Sequence, residues 1–91
     1  EGQAAARVAV LNALAAVSSL LGHVDEIREV VRVVVYVNSS TGFTEHAQVA
    51  NGASDVLLEI FGDAGRHVRS AVGVAALPLN AAVEVELVVG V

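Results

Sequence analysis

The ten-residue run Glu29–Asn38 constrains the fold of this chain more than any other feature. It reads Glu-Val-Val-Arg-Val-Val-Val-Tyr-Val-Asn and contains no glycine or proline. Runs of β-branched and aromatic residues favour a strand, and apolar residues at both odd and even positions predict burial on both faces of a sheet. A strand of this kind needs cover from other layers, so we expect helices to pack on the same sheet.

Two amphipathic segments lie on either side of this run. Residues 2–22 are predicted to form a helix because apolar residues recur at i, i+4, i+7 and i+11, namely Val10, Leu14, Val17 and Leu21. A second helix should begin near Thr44 or slightly later and end at Phe61. Gly52 falls inside this second helix, at a cost of about 1 kcal/mol relative to alanine unless a neighbour packs closely there.

Two further strands are expected towards the end of the chain. Residues 69–75 form a short apolar run, and residues 82–91 alternate strictly between two faces. A turn at Leu77-Pro78 separates them, so we predict an antiparallel pair. The predicted order is α-β-α-β-β, an α+β fold with two helices layered on a sheet.

Composition narrows the possible partners. Apolar residues make up 55% of only 91 residues, and a domain this small buries a limited fraction of its surface, so we expect self-association. A membrane span is not expected, because the uncharged stretch Val8–Val24 is 17 residues long and a span needs about 20. Nucleic-acid binding is disfavoured by ten acidic against five basic residues, a net charge of −5.

Several kinds of catalytic site are absent from the sequence. Without lysine or cysteine there is no Schiff-base lysine, thiolate nucleophile or disulfide. The three histidines, His23, His46 and His67, lack the spacing of metal ligands, and surface or loop positions are expected for them. Ser54 lies in Gly52-Ala-Ser-Asp-Val56, which lacks the second glycine of a nucleophile elbow, so it is interpreted as an ordinary helix residue.

Arg69 and Glu84 form the most informative pair in the sequence. An antiparallel arrangement of the last two strands would bring them close together. Arginine can clamp a carboxylate in a bidentate manner, and a nearby glutamate can orient a water or act as an acid or base. A structural ion pair at the end of a sheet explains the same residues and is the commoner arrangement.

Residues 66–86, together with residues 35–44 and 51–62, resemble the YjgF/Rid family. The resemblance rests on Arg69 in a run of small residues, a Leu-Pro turn, and the closing Val-Glu-Val-Glu with Glu84 fifteen residues after the arginine. It extends over essentially the whole chain. It implies a chorismate-mutase-like fold, a homotrimer, and ligand clefts between subunits. The family's first strands have no counterpart here, so a single domain that is incomplete at its N-terminus is expected.

The resemblance also implies an activity. Many members hydrolyse enamine or imine intermediates to 2-oxo acids and ammonia, without a cofactor. In this chain Arg69 matches the arginine that binds the substrate carboxylate, and Glu84 matches the glutamate that positions water. Ala71 and Asn51 match further substrate-binding positions. The alternative is a non-catalytic carboxylate-binding or regulatory protein on the same scaffold. A cytoplasmic location is the default expectation.

Overall fold

The computed structural model describes residues 2–91 and has the predicted element order. The helices are α1 at Gly2–Leu21 and α2 at His46–Phe61, and the strands are β1 at Glu29–Asn38, β2 at Val68–Val74 and β3 at Val83–Gly90. Single turns of 3-10 helix at Val24–Glu26, Gly62–Gly65 and Pro78–Asn80 connect them. The two helices pack on one face of a mixed three-stranded sheet, so the predicted α+β class is confirmed.

Strand β1 lies at the centre of the sheet, in the order β2-β1-β3. It pairs in parallel with β2 and antiparallel with β3. The predicted antiparallel pairing of the last two strands is therefore wrong, because β2 and β3 occupy opposite edges. Their connection is too long for the two- to five-residue loop of a tight hairpin, and it crosses the end of β1 instead.

Asn38 holds this crossing connection in place. Its backbone N–H donates to the Ala82 carbonyl at 2.9 Å, and its side-chain amide donates to the Ala81 carbonyl at 3.0 Å. The same amide reaches Asn80 Oδ1 at 3.3 Å. The last residue of the central strand thus fixes the chain that passes over it on the way to β3.

A β-bulge explains why apolar residues occur at both parities of β1. The register with β3 shifts between Val30 and Arg32, and the extra residue, Val31, is 42% exposed. Because the bulge changes which face the next residue points to, Val30 and Val33 are both buried in the core beneath the helices. Val34 is buried outside that cluster.

Helices α1 and α2 approach each other so closely that a glycine is required between them. A Cβ added at Gly52 would collide with the backbone carbonyl of Gln3. Ala6, Ala50 and Ala53 are completely buried in the same core. The glycine in the middle of α2 is therefore explained by close packing, which offsets its low helix propensity.

Helix α1 is long and apolar enough to cross a membrane by length and composition alone. Buried helices of soluble proteins meet the same criteria. In this structure Ala6, Val10 and Leu14 of α1 are buried in the core with α2 and β1, whereas Leu20 is 87% exposed. One face of α1 is thus committed to the fold described here.

Candidate anion-binding site

A groove of about 280 Å³ opens between α2 and the start of β2, and we call it the arginine groove. It is lined by Ser54, Leu58, Arg66, His67 and Arg69. The groove forms because Gly62–Gly65 turns the chain from the end of α2 directly into β2. Gly65 makes this turn possible, since a Cβ there would collide with the Leu57 carbonyl.

Neutral groups hold the Arg69 guanidinium at the base of the groove. Nη1 donates to Asn51 Oδ1 at 2.8 Å and to Ser54 Oγ at 3.2 Å. These two bonds use both hydrogens of Nη1. Nε and Nη2 make no hydrogen bond to any residue in the range 2–91 and remain available. This free edge of the guanidinium has the geometry for bidentate binding of a carboxylate.

Arg69 differs from the arginines that are paired with acids. Arg7 pairs with Glu59 at 3.1 Å and Arg66 with Asp63 at 3.3 Å. Within the described residues Arg69 has no carboxylate partner, and its side chain is only partly exposed. A half-buried cation held by neutral groups is favourably placed to bind an external anion.

A chain of hydrogen bonds connects Arg69 to His67 through Ser54. Ser54 Oγ lies 2.9 Å from His67 Nε2, and His67 Nδ1 lies within hydrogen-bond distance of the Gly65 carbonyl. A carbonyl can only accept, so Nδ1 carries the hydrogen. The Ser54 hydroxyl accepts from Arg69. When the imidazole is neutral with its hydrogen on Nδ1, Nε2 accepts the hydrogen of the Ser54 hydroxyl, and all the bonds in the chain are then mutually consistent.

The predicted site residues fall into two groups. Asn51 and Arg69 are brought together directly. Ala71 follows two residues later on the same face of β2, where it packs partly buried against the core. Glu84 lies elsewhere: it pairs with Tyr36 on the opposite edge of β1 and is exposed. Within one chain Arg69 and Glu84 form neither a cleft nor the structural ion pair that was the alternative prediction.

Glu84 belongs instead to the sheet face that carries no helices, and we call it the open sheet face. The strand pairing places the side chains of four polar residues on the open sheet face: Arg32, Tyr36, Glu84 and Glu86. The Tyr36 hydroxyl donates to Glu86 Oε1 at 3.2 Å. This hydrogen bond, more than burial or the neighbouring negative charges, raises the pKa of Tyr36 above its usual value.

Comparison with known proteins agrees with this architecture. The family model described as "YjgF/chorismate_mutase-like, putative endoribonuclease" matches residues 1–91. The chain belongs to this YjgF/chorismate-mutase-like family. The Protein TCP17 of Trypanosoma cruzi is 53% identical over 90 residues, which cover 98% of this chain and 56% of TCP17. The chain thus spans little more than half of this relative.

Two crystal structures show the same YjgF-like fold. The protein Atu1372 of Agrobacterium tumefaciens, of unknown function, superposes with a TM-score of 0.94 at 42% identity, covering 97% of this chain and 57% of that one. A Shewanella oneidensis MR-1 protein described as a "putative endoribonuclease" gives a TM-score of 0.95 at 40% identity, covering 100% and 60%. The family resemblance noted in the sequence is therefore confirmed.

Sequence reasoning missed Ser54 and His67 in this YjgF-like chain. The spacing contained a usable signal: Asn51 and Ser54 are three residues apart on one face of a helix, and His67 and Arg69 are two residues apart where the chain enters β2. His67 lies in the loop before β2, as expected, and it is half-buried and bonded to Ser54 and Gly65.

The other two histidines have local roles. His23 caps the turn after α1, where its Nδ1 accepts from the Asp25 N–H at 3.1 Å. The ring of His46 at the start of α2 contacts Phe43 edge-on, with ring centroids 5.1 Å apart. Residues 2–91 contain no group of three side chains that could hold a metal ion.

Proposed function

We propose that this chain binds small carboxylates in the arginine groove and, in an assembly of several copies, hydrolyses 2-imino or enamino acids to 2-oxo acids and ammonia. One observation carries the proposal. Arg69 lines the groove and is fixed through Nη1 by Asn51 and Ser54, while its Nε and Nη2 make no hydrogen bond within residues 2–91. A guanidinium ordered in advance loses less side-chain entropy when it binds a carboxylate.

The imine carbon is already electrophilic, so the proposed reaction needs a correctly positioned water more than a strongly activating group. Water attacks the imine carbon and gives a proton to a carboxylate base, and the nitrogen is protonated. The carbon–nitrogen bond then breaks, which releases ammonia and leaves the oxo acid. Holding the substrate carboxylate on Arg69 and the water on Glu84 supplies the proximity that such a reaction requires.

The positions of Arg69 and Glu84 in the fold support a cleft shared between copies of the chain. Arg69 lies on the helix-covered face of β2 and Glu84 on the open sheet face of β3, so one copy cannot bring them to the same substrate. We propose that Glu84 of a second copy completes the site in a homotrimer. Valines on the open sheet face support an interface there, since Val68, Val72 and Val88 are 69%, 42% and 42% exposed.

Mixing two inactive variants tests this arrangement. Arg69→Gln and Glu84→Gln should each abolish oxo-acid release from an imine generated in solution. After the two are dissociated and reassembled together, about a quarter of the clefts should contain both native residues, and activity should partly return. If no activity returns although light scattering shows that the mixed variants have assembled, the shared cleft is contradicted.

The runner-up function is a carboxylate-binding or regulatory protein without catalysis. It is favoured by the same separation of Arg69 from Glu84 within one copy. A panel of 2-oxo acids should then raise the melting temperature without any turnover of the imine. Arg28→Gln is the matched control for Arg69→Gln, because it removes one positive charge from an exposed position outside the groove.

We do not extend the endoribonuclease description of the Shewanella protein to this chain. Ten acidic residues face only five arginines, and lysine is absent. Binding to a polyanion draws most of its free energy from cations that displace counterions. Weak nucleic-acid binding is therefore expected, and a filter-binding assay with single-stranded RNA measures it directly.

A further inference from the structure

The structure assigns Ser54, His67 and the Gly65 carbonyl a role as a nucleophilic serine site for esters of small anionic acids. This activity is separate from imine hydrolysis. The observation is the geometry of a chain of contacts: Ser54 Oγ lies 2.9 Å from His67 Nε2, and His67 Nδ1 donates to the Gly65 carbonyl. With Nδ1 protonated and the imidazole neutral, Nε2 accepts the hydrogen of the Ser54 hydroxyl. A serine nucleophile, a histidine base and a group that orients the base require this order.

The backbone carbonyl fixes the histidine in the tautomer that can act as a base. With Nδ1–H committed to Gly65, the lone pair of Nε2 faces the Ser54 hydroxyl. Gly65 is itself buried and is fixed against the end of α2. The imidazole is thus oriented by the fold rather than by a flexible acidic side chain.

Arg69 supplies positive charge where the reaction creates negative charge. Its Nη1 lies 3.2 Å from Ser54 Oγ, so it stabilises a serine oxygen that is losing its proton. Nε and Nη2 of the same guanidinium, which make no hydrogen bond within residues 2–91, are the donors proposed for the oxygen of a tetrahedral intermediate. Arg66, on the wall of the groove, contacts Asp63 through Nε, and its two Nη groups provide a second set of charged donors for an anionic group elsewhere on the substrate.

The acyl-transfer step balances with water as the only co-reactant. Ser54 Oγ attacks the ester carbonyl carbon and its proton passes to His67 Nε2. The bond to the alcohol oxygen breaks, and that oxygen leaves with the electron pair and takes the proton from Nε2. Water then attacks the acyl-serine, His67 accepts and returns a proton, and the free acid and Ser54 are released.

The chain contains a matched control for this site. Ser39 Oγ and His46 Nε2 also approach each other, but at 3.4 Å, and within residues 2–91 no carbonyl orients the His46 ring through Nδ1. A reactive serine at position 54 and an unreactive one at position 39 would show that the oriented arrangement matters, rather than the mere presence of a histidine.

A fluorophosphonate probe tests the assignment on the folded chain. Attack by Ser54 forms an oxygen–phosphorus bond and expels fluoride, and mass spectrometry of peptides locates the adduct. We expect an adduct at Ser54 that is unchanged in Ser39→Ala, lost in His67→Gln and absent after heat denaturation. No adduct on the folded wild-type chain would overturn the assignment. An equal adduct in a His67→Gln variant with wild-type melting behaviour would do the same.

Two esters of equal chain length test the substrate class. After the rate without protein is subtracted, the mono-4-nitrophenyl ester of adipic acid should be cleaved about tenfold faster than 4-nitrophenyl hexanoate, a difference typical of one added charge-assisted hydrogen bond. Arg66→Gln should remove the preference, so that the anionic and the neutral ester are cleaved at similar rates. Equal rates in the wild-type chain would overturn the anionic class. Because neither assay uses an imine, failure of the proposed deaminase activity would leave both results interpretable.

Discussion

The guanidinium of Arg69 is tied across 2.8 Å to Asn51, eighteen residues earlier in the chain. This bond connects the edge strand β2 to helix α2 beside the arginine groove. It orders the Arg69 guanidinium while its Nε and Nη2 donors stay unused. The ion pairs of Arg7 and Arg66, in contrast, are formed by exposed side chains. The candidate site depends on this relationship more than on any single residue.

Removing Asn51 should weaken carboxylate binding without removing the cation. In Asn51→Ala the Arg69 guanidinium keeps only its contact with Ser54 and is less ordered in the free protein. The Arg69 side chain therefore loses more conformational freedom when a carboxylate binds. A cost of about 0.5–1.5 kcal/mol for ordering such a side chain predicts a rise in Kd of about two- to twelvefold. Isothermal titration with pyruvate measures it. Gln48→Ala, on the same helix but outside the groove, should bind as the wild type does, and equal weakening there would contradict this role for Asn51.

The titration of Tyr36 reports directly on the open sheet face. It is the only tyrosine in the chain, and its hydrogen bond to Glu86 raises its pKa. Ultraviolet titration should therefore give a midpoint above the usual value near 10, and Glu86→Gln should lower it. Glu84→Gln, which removes only a weaker charge effect, should lower it less. Because the folded state holds this proton more tightly, the stabilisation from the pair is lost as pH rises through the Tyr36 pKa.

Adding one methyl group at Gly52 should destabilise the fold although alanine is the better helix former. The new Cβ would collide with the Gln3 carbonyl, and overpacking of this kind costs about 1–3 kcal/mol. Urea denaturation of Gly52→Ala measures the loss. Asp55→Ala, exposed on the same helix, should change stability by less than about 0.5 kcal/mol. A more stable Gly52→Ala variant would show that the two helices can separate slightly.

The ion pair between Arg7 and Glu59 should make the contact between α1 and α2 depend on pH. The arginine holds the pKa of the Glu59 carboxyl below its usual value, mainly through their hydrogen bond. A lowered pKa stabilises the folded state above the unfolded value, and the effect is lost as pH falls through the folded one. Arg7→Gln should therefore lower the melting temperature at pH 7, and the difference should disappear in acid. Arg28→Gln controls for the loss of charge, and a difference that persists in acid would rule out the pair as its cause.

Local sequence patterns determined the secondary structure of this chain and its family. Apolar periodicity located both helices, and β-branched residues located all three strands, because burial of an apolar face governs each element on its own. The sequence also indicated that Arg69 and Asn51 matter, through the resemblance to the YjgF/Rid family.

Only the tertiary structure decided which strands are neighbours and what surrounds Arg69. The connection after β2 crosses the end of β1, held by Asn38, and this moves Glu84 to the far edge of the sheet. The bulge at Val31 and the contact of Gly52 with Gln3 likewise depend on partners far apart in the chain. The bond between Ser54 and His67 arises because the Gly62–Gly65 turn folds β2 back along α2. The periodicity of apolar residues shows which face of a single helix or strand is buried. Which strands pair depends instead on the paths of the connections between them.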